Sequence, residues 1–197
     1  MKKCKLGSGY ICYVLVCFFL AFGILFVSLT KASWKVLASG KSYDSYRIKP
    51  VEVEKVNEEG RRVKVVYKLP EVRTLPGSFF YGFKEIRNWL WLKLAGKPID
   101  KAKLLLFLAD KKVSETLLLD EKGKPNLALR SAKDAFEKLK RSKEWSLKLE
   151  ENEERLLRAQ LSDACLTYRQ VFGSILKNEK SEYEKLIVEL DEWYEKE

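Results

Sequence analysis

Residues 99–140 read IDKAKLLLFLADKKVSETLLLDEKGKPNLALRSAKDAFEKLK, and this stretch decides the fold. Apolar residues recur at intervals of three and four on both sides of Gly123 and Pro125, which is the spacing of one face of an α-helix. Glycine suits the left-handed conformation just past a helix end, and proline stops the helix. The stretch therefore predicts a helical hairpin, with one helix from about Ile99 to Leu119 and a second helix capped by Asn126.

The segment before this hairpin predicts another helix, from about Phe79 to Ala95. Ser78 follows the breakers Pro76 and Gly77 and is predicted to cap the helix, because serine accepts a backbone N–H bond at a helix start. The predicted packing stripe consists of Phe79, Phe83, Ile86, Leu90 and Leu94. Four aromatic residues lie off this stripe, namely Phe80, Tyr81, Trp89 and Trp91. The helix thus carries more apolar surface than one packing face needs.

The segment after the hairpin predicts further helices. Neither Gly nor Pro occurs from Asn126 until Gly173, so the second hairpin helix either runs on for a long distance or breaks near 142–154, where its apolar pattern weakens. A last amphipathic helix follows, with apolar residues at helical spacing from Tyr183 to Tyr194.

Residues 47–68 have a strand pattern instead. Two alternating apolar runs flank the turn-like sequence Asn57-Glu58-Glu59-Gly60, and this arrangement predicts a β-hairpin. A two-stranded hairpin is marginally stable alone, so it must pack on the helices, pair with another chain or stay partly ordered. The predicted fold is mainly α: a helical hairpin or small bundle with a long C-terminal helix, a short N-terminal β-hairpin and one N-terminal transmembrane helix.

The N-terminal segment 6–30 contains no charged side chain, and about 20 helical residues span the core of a bilayer. Lys2, Lys3 and Lys5 precede it, which favours a cytoplasmic N-terminus and an extracytoplasmic remainder. The run is longer than the apolar part of a typical signal peptide. An uncleaved membrane anchor is therefore the preferred prediction, and secretion after cleavage is the alternative.

The predicted organisation follows from these features. It comprises a basic N-terminus (1–5), the anchor (6–30), a linker (31–46), a β-hairpin with a Pro-rich loop (47–78), a helical hairpin domain (79–141) and a helical C-terminal extension (142–197). Of the four cysteines, Cys4, Cys12 and Cys17 lie in the anchor or just before it, and only Cys165 follows it. It is interpreted either as a small buried residue or as one half of an intermolecular disulfide.

Charge is distributed unevenly along the chain. The formal net charge is +10, from 38 Lys and Arg against 28 Asp and Glu. Residues 44–141 hold 23 cations and 14 carboxylates, whereas residues 142–197 hold 9 cations and 14 carboxylates. The basic middle of the chain indicates either an ordinary solvated surface or contact with an anionic one.

Four motifs follow one another between Tyr67 and Arg141. They read YKLP at 67–70, LPGSFFYGFKEIRNWLW at 75–91, DKAKLLLFLADKKVSE at 100–115 and KGKPNLALRSAKDAFEKL at 122–139. In this order and spacing they resemble a bacterial domain-of-unknown-function family of exported or membrane-anchored proteins, common in candidate-phylum bacteria. Phe79 stands where that family usually has proline. The resemblance implies an exported helical hairpin domain and supplies no catalytic residue.

The composition argues against an enzyme. The chain has no histidine, which excludes a Ser-His-Asp triad, a Cys-His pair and a His-ligated metal. The carboxylates nearest the predicted hairpin core are Glu85, Asp110, Glu115 and Asp134, and their spacing does not indicate an acid–base pair. Asp110 is predicted to form an ion pair with Lys84 or Arg87 across the hairpin. No catalytic residue, cofactor or metal is predicted.

Two non-catalytic functions remain. The first is a single-pass, membrane-anchored scaffold or adaptor that binds another envelope protein through its surplus aromatic residues. The second is binding of anionic lipid or cell-wall polymer through the basic face of the helical hairpin. Nucleic-acid binding is disfavoured, because a basic sheet with stacking aromatics is missing and export is predicted. The predicted interaction residues are Phe80, Tyr81, Trp89, Trp91, Lys101, Lys103, Lys111, Lys112, Lys138, Lys140 and Arg141.

Overall fold

A computed structural model describes residues 48–56, 62–175 and 180–195, together with positions 13, 15–17, 20 and 23. The chain divides into two compact units, residues 1–42 and 43–197. The described elements of the second unit are β1 (Ile48–Val56), β2 (Arg62–Pro70), α1 (Tyr81–Leu94), α2 (Pro98–Glu121), α3 (Pro125–Ser146), α4 (Glu151–Ile175) and α5 (Lys180–Glu195). This part of the chain is mainly α with a short antiparallel β-hairpin, which confirms the predicted helical hairpins and β-hairpin.

The predicted N-terminal basic segment (1–5) and linker (31–46) lie outside the described residues, as does most of the predicted anchor (6–30). Positions 13, 15–17, 20 and 23 of the anchor are helical. Within the part of the chain that the structure describes, no helix is both long and apolar enough to cross a membrane. The transmembrane anchor therefore stays a prediction.

The β-hairpin forms where the sequence predicts it. β1 and β2 are antiparallel, in a register that pairs Val53 with Val65. The predicted turn at 57–60 lies outside the described residues. Leu69 is fully buried in the main core, and Tyr67 packs against that core. Packing on the helices supplies the stability that an isolated two-stranded hairpin lacks.

Helices α2 and α3 form the predicted hairpin at the centre of the fold. Gly123, between them, has a φ of +64°, a conformation that glycine adopts without steric cost. The backbone N–H of Lys124 donates to the carbonyl oxygen of Leu119 over 2.9 Å and closes the end of α2. Five fully buried alanines line the two helices: Ala102, Ala109, Ala128, Ala132 and Ala135. Small side chains such as these let two helices pack closely.

Both predicted helix caps are wrong. α3 begins at Pro125 without a side-chain cap, because proline fits the first helical position, where no N–H acceptor is needed; Asn126 therefore lies inside the helix. α1 begins at Tyr81, also without a side-chain cap. Ser78 contributes its backbone instead, since its carbonyl oxygen accepts the Tyr81 N–H over 3.0 Å. Gly77, with a φ of +91°, turns the chain just before this point.

Helices α4 and α5 complete the core. Residues 147–150 separate α3 from α4, so the long apolar pattern breaks within the predicted window. Tyr168, Phe172 and Tyr183 pack in series, with successive ring centroids 6.2 and 6.3 Å apart. Cys165 is 2% exposed, in agreement with its interpretation as a small buried residue.

Candidate interaction surface

Helix α1 turns its apolar side toward solvent. Phe79, Phe83 and Ile86 are 84%, 65% and 64% exposed. The exposed apolar residues, here termed the outer stripe, are Phe79, Phe80, Phe83, Ile86, Trp89 and Leu94. The other exposed positions between 79 and 94 are Gly82 and Lys93. The predicted packing stripe of this helix is therefore wrong, because four of its five members point outward.

The side of α1 that faces the protein is mainly polar. Lys84 forms an ion pair with Glu115 of α2, which is fully buried. The Lys84 amine also donates to the carbonyl oxygen of Thr74 over 3.2 Å. The Tyr81 hydroxyl donates to Glu115 over 3.3 Å, and Asn88 is buried. Hydrogen bonds and ion pairs thus hold α1 on the body of the protein.

Lys112 of α2 lies at the centre of this polar layer. Its amine is 3.2 Å from carboxylate oxygens of both Glu85 and Glu115 and 3.5 Å from Asp134. It also donates to the Tyr81 hydroxyl. Burial alone would lower the pKa of Lys112, but the nearby carboxylates and the Tyr81 hydrogen bond raise it above its usual value. The ion-pair cluster, as it is termed here, consists of Tyr81, Lys84, Glu85, Lys112 and Glu115.

Asp110 has different partners from those predicted. The hydroxyl groups of Tyr67 and Tyr168 donate to its Oδ1 over 2.9 and 2.8 Å. The predicted ion pair with Lys84 or Arg87 is wrong, because the carboxyl group is turned toward β2 and α4. Burial raises the pKa of Asp110 to about 7, and the two tyrosine hydrogen bonds offset this effect only in part.

The predicted cations occupy several different environments. Three of them lie 4.3 to 4.6 Å from the centres of aromatic rings: Lys101 at Trp145, Lys111 at Phe107 and Lys140 at Phe136. Lys103 and Arg141 are exposed, and Lys138 is half-buried. Burial lowers the pKa of Lys138. Because Lys112 is buried in the ion-pair cluster, the predicted cations do not form one exposed face.

The four predicted aromatic residues divide between the two sides of α1. Phe80 and Trp89 belong to the outer stripe, and Tyr81 belongs to the ion-pair cluster. Trp91 is half-buried, with the Arg87 guanidinium 4.6 Å from the centre of its ring.

Sequence reasoning missed the outer position of Phe79, Phe83 and Ile86 and the partners of Lys112. The sequence contains one signal for each of these two features. The polar residues of α1 also recur at helical spacing, and Lys112 and Glu115 lie three residues apart in a mostly polar segment between the apolar runs 104–109 and 117–119 of α2. A polar face on each of two adjacent helices indicates that these faces meet.

A concave surface lies elsewhere on the domain, between β1 and α4. It is an open cleft of about 600 Å³, bridged by a 2.8 Å hydrogen bond from the Gln170 amide to the carbonyl oxygen of Glu52. Its cations have partners, since Lys64 pairs with Glu52 and Arg169 pairs with Asp191. Among the described residues, no group of three acidic or cysteine side chains is arranged to hold a metal ion.

Fold and surface together define a small helical-hairpin protein with an appended β-hairpin and an exposed aromatic helix face. The chain belongs to the DUF5667 family, a domain of unknown function whose model matches residues 73–192. The match begins after the YKLP motif at 67–70, covers α1 to α4 and most of α5, and extends well beyond Arg141, where the sequence resemblance ends. No curated protein and no solved structure matches the chain.

Proposed function

We propose that this chain is a non-catalytic adaptor that binds another envelope protein through the outer stripe of α1. In this proposal, segment 6–30 anchors the chain in the membrane with the helical domain on the extracytoplasmic side. The outer stripe is the observation that carries the proposal. It presents four aromatic and two aliphatic side chains to solvent on α1 and the turn just before it.

The energetics favour a partner for this surface. Covering apolar surface gains about 25 cal/mol per Å², and contiguous exposed apolar patches are typical of interaction sites. The ion-pair cluster fixes α1 through Lys84 and Lys112, so the stripe is held in place before binding. A preorganised surface loses less conformational entropy when its partner binds.

A protein fits the outer stripe better than an anionic membrane does. A helix that lies in a lipid headgroup layer carries free cations beside its apolar face. In α1, Lys84 is engaged in the ion-pair cluster. Lys93 is the exposed cation between 79 and 94, and its amine is 5.9 Å from the centre of the Trp89 ring. The stripe therefore has aromatic anchors suited to a protein groove, and Lys93 is the exposed cation beside them, whereas Arg87 is half-buried.

Photo-crosslinking tests the proposal in the full-length chain in its own cells. A photoreactive amino acid at position 83 or 89 is expected to capture the same protein. The matched control position is Leu156 of α4, which is 72% exposed and apolar but lies outside the stripe. Crosslinks to lipid alone, equal capture from position 156, or no capture would overturn the adaptor function.

Direct binding then completes the test. The captured protein, once purified, is expected to bind the full-length chain, and Trp89→Ala is expected to weaken binding at least about tenfold, as for an aromatic hot spot. Leu156→Ala should leave the affinity unchanged. Equal affinities for the two variants would exclude the outer stripe as the binding surface.

A further inference from the structure

The contacts between α1 and α2 follow a register that brings two cations together. Lys84 of α1 pairs with Glu115 of α2. One turn further along α1 is Arg87, and one turn back along α2 is Lys111. Because the Lys84–Glu115 pair joins the two helices at this point, Arg87 and Lys111 lie on the facing sides of α1 and α2, next to a satisfied ion pair. The charges of Arg87 and Lys84 both act on the Lys111 amine, in agreement with this placement.

Each of these two cations rests on an aromatic ring. The Arg87 guanidinium carbon is 4.6 Å from the centre of the Trp91 ring, and the Lys111 amine is 4.3 Å from the centre of the Phe107 ring. Rings in these positions hold a cation in place through the negative potential of their faces. Arg87 and Lys111 are both half-buried, so they remain accessible from solvent.

Neither cation has a carboxylate partner among the described residues. The nearby Glu115 is engaged by both Lys84 and Lys112. Arg87 donates from Nη2 to the Asn88 side-chain oxygen over 3.3 Å, whereas its Nε is buried and has no acceptor in the described structure. A buried donor without an acceptor is costly, so the hydrogen-bonding capacity of the Arg87 guanidinium is only partly used within the described structure.

The electrostatics agree with the geometry. Burial, followed by the charges of Arg87 and Lys84, lowers the pKa of Lys111 to about 8, while Glu115 opposes the shift. Lys111 has no ion-paired carboxylate among the described residues, in contrast with Lys112 one residue away, whose pKa is raised by its carboxylate partners.

We propose that Arg87 and Lys111 form a binding site for a carboxylate group. The source of this carboxylate rests on the proposed function: it is an acidic side chain of the protein that covers the outer stripe. Arg87 follows Ile86 of the stripe directly, so an apolar helix with one acidic residue on its flank would engage both features. A guanidinium beside an ammonium supplies the directed hydrogen bonds and the charge that a carboxylate requires.

Competitive amine labelling of the full-length chain tests the site without any partner. The probes are sodium acetate and inorganic phosphate, each compared with sodium chloride at equal ionic strength. Only the neutral amine reacts, and each unit of increase in pKa lowers its fraction about tenfold. At saturating acetate, labelling of Lys111 measured by mass spectrometry is expected to slow about tenfold, while labelling of the exposed Lys103 stays unchanged.

Arg87→Gln supplies the matched variant. It removes the second cation and the buried donor, so acetate should no longer protect Lys111 while the chain remains folded. Equal effects of acetate and chloride in the wild-type chain, or protection that survives in Arg87→Gln, would overturn the carboxylate site. Protection by phosphate but not by acetate would also overturn it. Each of these outcomes leaves the crosslinking test of the outer stripe unaffected, so the two proposals fail separately.

Discussion

Helices α1 and α3 both have an apolar side and a polar side. α3 packs its apolar side against the protein, whereas α1 packs its polar side against it. α3 buries Leu139 completely and exposes Lys133. α1 exposes Phe83 and buries Asn88. The difference shows that helical periodicity identifies the two sides of a helix without deciding which of them faces inward. α3 is held by apolar burial, which is non-directional, whereas α1 is held by ion pairs, which require defined partners.

The largest expected effect on stability comes from truncating an aliphatic side chain of α3, compared with the same truncation on α1. Leu139→Ala leaves a cavity in the core and is expected to lower the free energy of unfolding by about 3 kcal/mol. Ile86→Ala should change it by less than about 0.5 kcal/mol, because Ile86 is mostly exposed. Urea unfolding measures both values. Similar losses for the two variants would show that the outer stripe is buried in the folded protein.

The next effect concerns the attachment of α1. Glu115→Gln removes the buried charge that balances Lys84 and Lys112, and breaking a buried ion pair in this way costs about 3 kcal/mol. Urea unfolding measures this loss, and faster labelling of Lys84 would report that α1 has loosened. The control is Glu137→Gln, which removes an exposed partner of Lys140. A loss no larger than that of the control would contradict the role assigned to the ion-pair cluster.

The next effect, smaller for each pH unit, depends on pH and concerns the junction of β2, α2 and α4. The folded pKa of Asp110 is about 7, above the ordinary value of 3.8. Between these values the folded protein retains a proton that the unfolded chain has lost, so stability falls as pH rises, by at most about 1.4 kcal/mol per pH unit. The titratable groups that contact Asp110 are Tyr67 of β2 and Tyr168 of α4, and Cys165 of α4 lies near Tyr168.

Two variants test whether Asp110 is the group that causes this pH dependence of stability. Asp110→Asn retains an acceptor oxygen and cannot ionise, so the fall in stability between these two pKa values should become shallower. Tyr67→Phe removes a hydrogen bond that lowers the pKa of Asp110, so the fall should extend to higher pH. Urea unfolding across this interval measures both slopes. Unchanged slopes would exclude Asp110 as the titrating group.

The smallest expected effect on stability accompanies the largest expected effect on binding. Phe83→Ser replaces an exposed ring of the outer stripe and should change the free energy of unfolding by less than about 0.5 kcal/mol. The same variant should lose the crosslinked partner captured from position 89. Phe172→Ser, which replaces a fully buried ring, is the comparison that should lose stability instead. A large loss of stability in Phe83→Ser would show that the outer stripe is part of the protein core.

Much of the fold could be predicted because its signals are local. Gly123 and Pro125 mark the turn between α2 and α3, and the weakened pattern at 142–154 contains the break before α4. The site was harder to predict. Tyr168, a partner of Asp110, lies 58 positions further along the chain, and the spacing of residues within one helix carries no information about such a partner.

The sequence by itself determined which segments between 47 and 195 are helices or strands, their approximate bounds, and that α1 has two contrasting sides. These properties depend on backbone preferences and on neighbours within a few residues. Only the tertiary structure decided that the polar side of α1 faces inward, that Lys112 collects three carboxylates, and that Arg87 and Lys111 lack one. The physical reason is that a charge buried by folding depends on partners from other elements, and their positions are fixed only when the elements pack.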